Sequence, residues 1–567
     1  MEFLRSRDDA GIMTPLHYSG TVDKRYPNSF NLKEMGLGVQ CYSETMRPGM
    51  ASWQPWVLQT FQIPRTESLI AAEKDSASAL FDKPGNIQTV AFELQKPAKQ
   101  IRLECRFITE PDSPENDRLS HALERYANHL SIREEQKELL RESFCKAMQT
   151  QWQRGITVHF FDPENEFRGR WDPAFRGWKV IGEREASDGF VAGRLPRGVW
   201  TAQRIISSPL LVDVTITLRI EWAEEADPRI ISVPYDFSVE PEEAPDERWV
   251  VGELHTHTAR SVGDDPPQDI ATAYQALGYH FVALTDHDAQ PISALSAPPP
   301  LGIIRGQEIE TFYGHALLLG TQEWVRWAHE SGIPPLSELI YKTHGQGGLF
   351  CVLHPFASSP AECAPAWAWP NPEWFHVDLL EIWSGLWKER FPEIMKTFDL
   401  WDTLLNQGHR IFGTCGKGGQ GKINETLVEQ LPKTLALSEG VTESRLLAAL
   451  KLGHFYATRE PAVDFFVDSE YGGAQMGDEL RLPVAKPYLL HLHLSGVGQS
   501  AFVRIKTNQG IYCEMPLCSV RDSKLKFIET ALPETRWYRV EIYRYGRILD
   551  DLLAFSNPIF VRGMISV

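Results

Sequence analysis

The sequence predicts an α/β protein in three parts: a β/α barrel in the middle, with a β-sandwich on either side. Three observations predict it. At 567 residues the chain is too long for a single hydrophobic core. Both ends carry period-two alternation broken by frequent turns, the pattern of half-buried antiparallel strands. Between them, short apolar runs alternate with helical or loop segments, the pattern of a sheet built with crossovers.

Residues 1–245 form the expected N-terminal sandwich, from pieces such as ITVHFFDPENEFRGRW, FVAGRLPRGVWTAQ and LLVDVTITLRIEW. A helical insertion interrupts it at about 113–150. Ser113-Pro114 offers an N-cap followed by Pro at the first helical position. Leu119, Ala122, Leu123, Tyr126 and Leu130 then recur at helical spacing. Ser131 and Glu134 make a capping box for a second helix bearing Leu139, Leu140, Phe144 and Met148. PEEAPDER, residues 241–248, reads as a linker, and the barrel is expected over 246–458. Its strands are WVVGELHTHT, FVALTDHD, LGIIRGQEIE, HALLLG, GLFCVLHPF, VDLLEIWSG and HRIFGTCG. From 459 to 567 alternation returns in YLLHLHLSG, AFVRIKTNQGIYCEM and WYRVEIYRYG, giving the C-terminal sandwich.

Composition narrows the function. A net charge of −18, without any basic block, argues against nucleic-acid binding, which requires Lys and Arg to displace phosphate counterions. No run of about 18 apolar residues is present to span a membrane. The N-terminal MEFLRSRDDAG lacks the apolar stretch of a secretory signal. Eight scattered Cys, with no C-x-x-C pair, fit a reduced, cytoplasmic protein acting on a small molecule. The sequence does not set the oligomeric state.

The central strands share one property: each ends in a metal-ligand residue. His255 and His257 stand two apart in a strand, so both imidazoles project from one face and can share a divalent ion. Thr285-Asp286-His287-Asp288 ends the next strand, Glu308 lies near the end of the following one, His315 opens HALLLG, and His354 follows CVL. In β/α barrels the strands' C-terminal ends build the active site, so these residues should converge. One such residue has ordinary structural explanations; His, Asp-His, Glu and His at four strand ends point to a metal cluster.

The series HTHT, TDHD, GQEIE, GHALLLG, LHP and EIWSG resembles the PHP (polymerase and histidinol phosphatase) superfamily. LKLGHFYATREPAVDF and WYRVEIYRYG…FSNPIFV resemble the tail of its carbaryl-hydrolase-related, CehA/McbA-like branch. The resemblance implies a distorted barrel with two or three metal ions. Carried over, His255 and His257 would hold the first metal, Glu308 would bridge first and second, and His315 and His354 would complete the second. His287 would belong to a third site, and Asp286 would orient a ligand or relay a proton.

Two places depart from the family's pattern. Where G-S-D-x-H is usual, this chain has Gly413-Thr414-Cys415-Gly416-Lys417, and Val262 replaces an aspartate after the first histidines. From Gly416 the sequence also fits G-x-x-x-x-G-K, but Ile423 stands where a phosphate loop needs a Ser or Thr hydroxyl. An altered metal corner is the better reading. With Val262 and Lys417 at two third-site positions, at most two divalent ions are expected, unless Asp264 and Asp265 compensate. Cys415 is either a thiolate ligand, which favours Zn²⁺ over Mn²⁺, or a buried filler. Lys417 either offers its ammonium to a substrate oxyanion or phosphate or pairs with Asp286, Asp288 or another acid. Lys422 and Arg260 are lesser candidates for anion contacts.

The expected function is hydrolysis of a small phosphoester, carboxylic ester or carbamate by metal-activated hydroxide, with His287 protonating the leaving group. The competing reading is a barrel that has lost catalysis and serves as a metal-binding or scaffold module.

Overall fold

The computed structural model describes residues 54–63, 87–109, parts of 124–141, most of 156–224, 235–236 and most of 247–565. It is mixed α/β, with many strands and few helices. The chain divides into two compact units, one of residues 1–115 and 149–233, the other of 116–148 and 234–567. The helical segment therefore groups with the second unit. Within it Glu124, Ala127 and residues 134–138 are helical. Ser113, Pro114, Leu119, Ala122, Leu123, Tyr126, Leu130, Ser131 and Leu139 lie outside the described residues, as do Phe144, Met148 and most of the 241–248 linker.

The first unit contains β1 (Gln54–Ile63), β2 (Ile87–Leu94), β3 (Gln100–Thr109), β4 (Ile156–Phe161), β5 (Phe167–Trp171), β6 (Lys179–Gly182), β7 (Gly198–Ile206) and β8 (Val214–Ala223). They form two four-stranded sheets, ordered β1-β8-β3-β6 and β2-β7-β4-β5. All their pairings are antiparallel. Alternation decides which residues turn inward: Ile101, Leu103, Ile216 and Leu218 from one sheet meet Phe92, Val158, Phe160 and Trp200 from the other in one apolar cluster.

The second unit carries the predicted strand ends. A short pair, β9 (Tyr235–Asp236) and β12 (Ala294–Leu295), stands apart. The main strands are β10 (Arg248–Thr256), β11 (Phe281–Leu284), β13 (Gly302–Thr311), β14 (Gly314–Leu319), β15 (Leu349–Val352), β16 (Leu379–Ser384), β17 (Phe412–Gly416), β18 (Lys433–Ser438) and β19 (Phe455–Thr458). Helices α1 (Pro267–Ala276), α2 (Leu336–Gly345), α3 (Trp387–Asn406) and α4 (Glu443–Leu452) connect them. α1 starts with a proline at its first position, where no N–H is needed, and buries Ile270, Ala271 and Tyr274. α4 ends on Gly453 at φ 76°, a left-handed cap that a side chain would strain.

The sheet runs β17-β16-β15-β14-β13-β11-β10-β18-β19 and then into the C-terminal strands. β10-β11-β13 and β15-β16-β17 are parallel, whereas β14 is antiparallel to both its neighbours because a hairpin at Thr311–Gly314 reverses the chain. The reversal brings the start of β14, with His315, to the end of the sheet where the parallel strands exit. β17 and β10 are not ladder partners, but Glu253 Oε1 on β10 accepts the Lys417 N–H just beyond β17 at 3.0 Å.

Beyond these lie β20 (Ala462–Ser469), β21 (Gly472–Gln475), β22 (Glu479–Pro483), β23 (Pro487–Ser495), β24 (Ala501–Thr507), β25 (Gly510–Leu517), β26 (Asp522–Thr530), β27 (Arg536–Arg544), β28 (Asp551–Ser556) and β29 (Ile559–Met564). A separate sheet β21-β20-β23-β26 shares a core with the continuing strands β28-β27-β24. Val463, Phe465, Leu490 and Leu492 contribute from one side, Val503, Val540, Ile542 and Leu553 from the other. Asn557 ties this part to the site-bearing sheet. Its Oδ1 accepts the Gly413 N–H at 2.7 Å, and its amide donates to Phe455 O at 2.9 Å. No helix of the described residues is long and apolar enough to cross a membrane.

Candidate metal centre

Glu308 is the focus of the site. It sits on β13 with a side chain 1% exposed, and three imidazole Nε2 atoms converge on its Oε2: His255 at 3.0 Å, His257 at 3.3 Å and His287 at 3.4 Å. His315 places Nδ1 3.0 Å from the other oxygen, Oε1. Ring contacts run from His257 to His287, His315, His354, His255 and back to His257, at centroid distances of 4.5–6.1 Å. Five imidazoles thus encircle one carboxylate.

The backs of the rings explain why they face inward. His255 Nδ1 meets Glu381 Oε1 at 2.8 Å, His257 Nδ1 meets the Thr285 carbonyl at 3.1 Å, and His287 Nδ1 meets Glu310 Oε2 at 3.0 Å. In the neutral ring each acceptor holds the proton on Nδ1 and leaves the Nε2 lone pair for a ligand. This is the arrangement that metal-ligating histidines adopt. His354 differs. Its Nδ1 is buried without a hydrogen-bond partner among the described residues, and its backbone has φ 22°. Asp288, at another strand exit, has φ 47°. Left-handed backbone at non-glycine residues is costly and gathers at functional sites.

Charge reinforces the geometry. Glu253, Asp286, Asp288, Glu308, Glu310 and Glu381 are all buried here. Burying carboxylates demands cations or hydrogen bonds. Burial opposes a charge on His255, but Glu381 and Glu308 outweigh it and hold its pKa well above the usual histidine value. Burial, with His287 adding to it, pushes His257 well below that value, and burial with His315 does the same to His354. Burial also opposes ionisation of Glu308, yet His287 and His255 hold it well below the carboxylate range. Without a metal, an imidazolium at His255 therefore lies between Glu308 and Glu381, while His257 and His354 stay neutral. A divalent cation competes for the same place.

Two sets of ligand atoms are close enough to hold an ion each: His255, Glu308 and His354, and His257, His287 and Glu308. Glu308 is common to both, as expected of a bridge. The partition differs from the expected one. His255 falls in a set with His354 rather than with His257, whose ring stands nearly perpendicular to its own. His287 joins His257 instead of standing in a third site. His315 faces the bridging carboxylate from the far oxygen.

The other predicted residues occupy different places. Asp286 joins neither set. Its oxygens accept from the Thr258 N–H at 2.8 Å, the Thr258 hydroxyl at 2.8 Å and the Ser261 hydroxyl at 2.7 Å, so it clamps the turn after His257. Val262 is buried in that turn. Cys415 also joins neither set: its Sγ lies 3.5 Å from Thr434 Oγ1, and burial, with Glu253 next, raises its pKa well above the usual thiol value. At this corner Gly416 faces the centre, since a Cβ there would lie 2.5 Å from His255 Cβ and 2.8 Å from Glu381 Oε1.

Lys417 is buried, and burial lowers its pKa against the opposing pull of Glu253, Asp264 and Asp265. Arg260 donates to the Gln290 carbonyl at 2.8 Å. Lys422 lies outside the described residues. Sequence reasoning missed Glu253, Glu310 and Glu381 as site residues. The available signal was an acid in an otherwise apolar buried strand, as in LLEIWS.

No family model and no curated protein sequence matches the chain. Among solved structures, one similar chain is a two-domain protein from Bacteroides vulgatus ATCC 8482 containing a predicted PHP-like metal-dependent phosphoesterase. It shares 11% identity over 59% of this chain and 100% of its own, with a TM-score of 0.31. Another is a CARDB domain from Pyrococcus furiosus, with 14% identity over 18% of this chain and 96% of its own and a TM-score of 0.12. Likenesses this slight carry no weight for fold or function.

Proposed function

We propose that the chain is a metal-dependent hydrolase of a small ester, with a two-cation centre in a distorted PHP-type barrel related to the carbaryl-hydrolase branch. One observation carries the reading: three Nε2 atoms converge on Glu308 Oε2 while every Nδ1 behind them is held by an acceptor. The buried Nδ1 of His354, which has no partner among the described residues, fits the same donor set.

His255 and His354 would hold one ion, His257 and His287 the other, with Glu308 between them. When bound, such a pair of ions supplies an activated water, polarises the oxygen under attack and stabilises developing charge. The chain's own residues do the rest. Glu381, Thr285 and Glu310 orient the rings, and Asp286 holds the 258–261 turn so that His257 keeps its direction. Lys417 stands as a fixed cation on the side of β17, suited to an anionic group of the substrate. His315, on the far oxygen of Glu308 and 26% exposed, is placed to exchange a proton with a leaving group.

The corner at Cys415 and Gly416 supports a second reading, in which the chain binds metal without turnover, because that strand presents no ligand to the centre. Metal analysis followed by assay on nitrophenyl phosphate, a nitrophenyl phosphodiester and nitrophenyl acetate separates the two. Chelator-sensitive turnover that disappears in His257→Ala supports the hydrolase. Tight metal without turnover on any ester supports the binding module, and a protein that takes up no divalent metal contradicts both.

A further inference from the structure

The three backing acceptors are not equivalent. His257 is held by a peptide carbonyl, which carries no net charge. His255 and His287 are each held by a carboxylate, and these two histidines belong to different ligand sets. The site thus has one backing carboxylate for each cation position. A negative partner on Nδ1 makes the opposite nitrogen a stronger donor, and the effect grows as water is excluded.

The two carboxylates also differ in their surroundings. Glu381 and His255 have side chains 1% and 2% exposed, whereas Glu310 and His287 are 11% and 13% exposed. Glu381 Oε2 is buried with no hydrogen-bond partner among the described residues, so other contacts do not disperse its charge. Gly416 makes this approach possible, because a Cβ at that position would fall 2.8 Å from Glu381 Oε1. Glu310 instead sits opposite His315 beside the Thr311–Gly314 turn, nearer solvent.

We propose that Glu381 and Glu310 are positioning residues that each govern one cation position. Glu381 serves the His255–His354 position and Glu310 the His257–His287 position, and the first is the tighter of the two. The proposal rests on the two-cation reading above. It adds that the positions are separately controlled and filled in a fixed order.

The test is zinc titration of the full chain, stripped with a chelator, against a competing dye. Wild type should take up two ions, the weaker leaving first on chelation. Glu381→Ala should keep one ion and bind the other about 10- to 100-fold more weakly, and Glu310→Ala should do the same for the opposite position. Glu381→Gln keeps an acceptor without the charge and should fall between wild type and Glu381→Ala. Being isosteric, it carries the test should the alanine variant fold poorly. Gly416→Ala, whose Cβ would crowd both His255 and Glu381, should weaken the His255–His354 position at least as much as Glu381→Ala does.

Anomalous maps of each single variant would show which ion remains. The proposal is overturned if folded Glu381→Gln and Glu310→Gln bind two ions as tightly as wild type. It is overturned equally if one variant releases both ions together, or if the His255–His354 ion leaves first on chelation. Failure of wild type to bind zinc would instead remove the two-cation reading itself.

Discussion

The exits of β10 and β17 stand side by side, tied by the bond from the Lys417 N–H to Glu253, yet they serve the site in opposite ways. β10 sends in two imidazoles, each fixed from behind by an acceptor. β17 contributes to neither ligand set: Gly416 faces His255, Cys415 lies against Thr434, and Lys417 brings a buried amine. A ligand corner therefore needs more than a strand end at the right place. It needs a side chain long enough to reach, a partner behind it, and a backbone that leaves room. At β17 the room created by glycine is filled by Glu381 from the neighbouring strand, so the carboxylate supports His255 from behind.

Removing the feature common to both ligand sets should have the largest effect. Glu308→Ala deletes the shared carboxylate and leaves the imidazoles repelling one another once protonated. Metal analysis after dialysis should find both ions lost, a larger effect than the roughly 10- to 100-fold cost of an outer partner. Acidification should act next. Ligating imidazoles must be neutral, and His255, held well above the usual histidine value without metal, is the first to take its proton back, whereas His257 and His354 resist protonation until well below that value. Bound metal should therefore fall as pH drops, with the His255 position lost first to protons, and zinc uptake near neutrality should release protons. Calorimetry in buffers of different ionisation heat reads that release directly.

Smaller effects sharpen the contrast between the two strands. Asp286→Ala removes three buried hydrogen bonds from the 258–261 turn and should cost about 1–3 kcal/mol in denaturant unfolding. It should weaken metal less than Glu381→Ala does. Cys415→Ala should leave zinc stoichiometry and affinity unchanged and lower stability by about 1 kcal/mol. A loss of one ion in that variant would restore Cys415 as a ligand and end the contrast.

Much of this architecture was legible because the physical constraint was local. His255-x-His257 shares a face through strand periodicity alone, and Glu308 on β13, His315 at the start of β14 and His354 just past β15 fall in or beside strands whose apolar runs are plain. What could not be read depended on three-dimensional partners. Which histidine falls in which candidate ligand set follows from how the rings meet at Glu308, and spacing along the chain says nothing of that. Cys415 stands at a ligand position in the sequence, and its contact with Thr434 on β18, 19 residues further on, shows only in the folded chain. Glu381 read as part of a buried strand, and its role becomes visible only when His255, from 126 residues earlier, is placed beside it.

The account stands on Glu308 bridging two cations. The most direct measurement is a crystal structure of the zinc-loaded protein with anomalous data at the zinc edge. The account predicts two peaks about 3.5–4 Å apart on either side of Glu308, one at His255 and His354, the other at His257 and His287. No peak there, or one bound by Cys415 and away from Glu308, would contradict it.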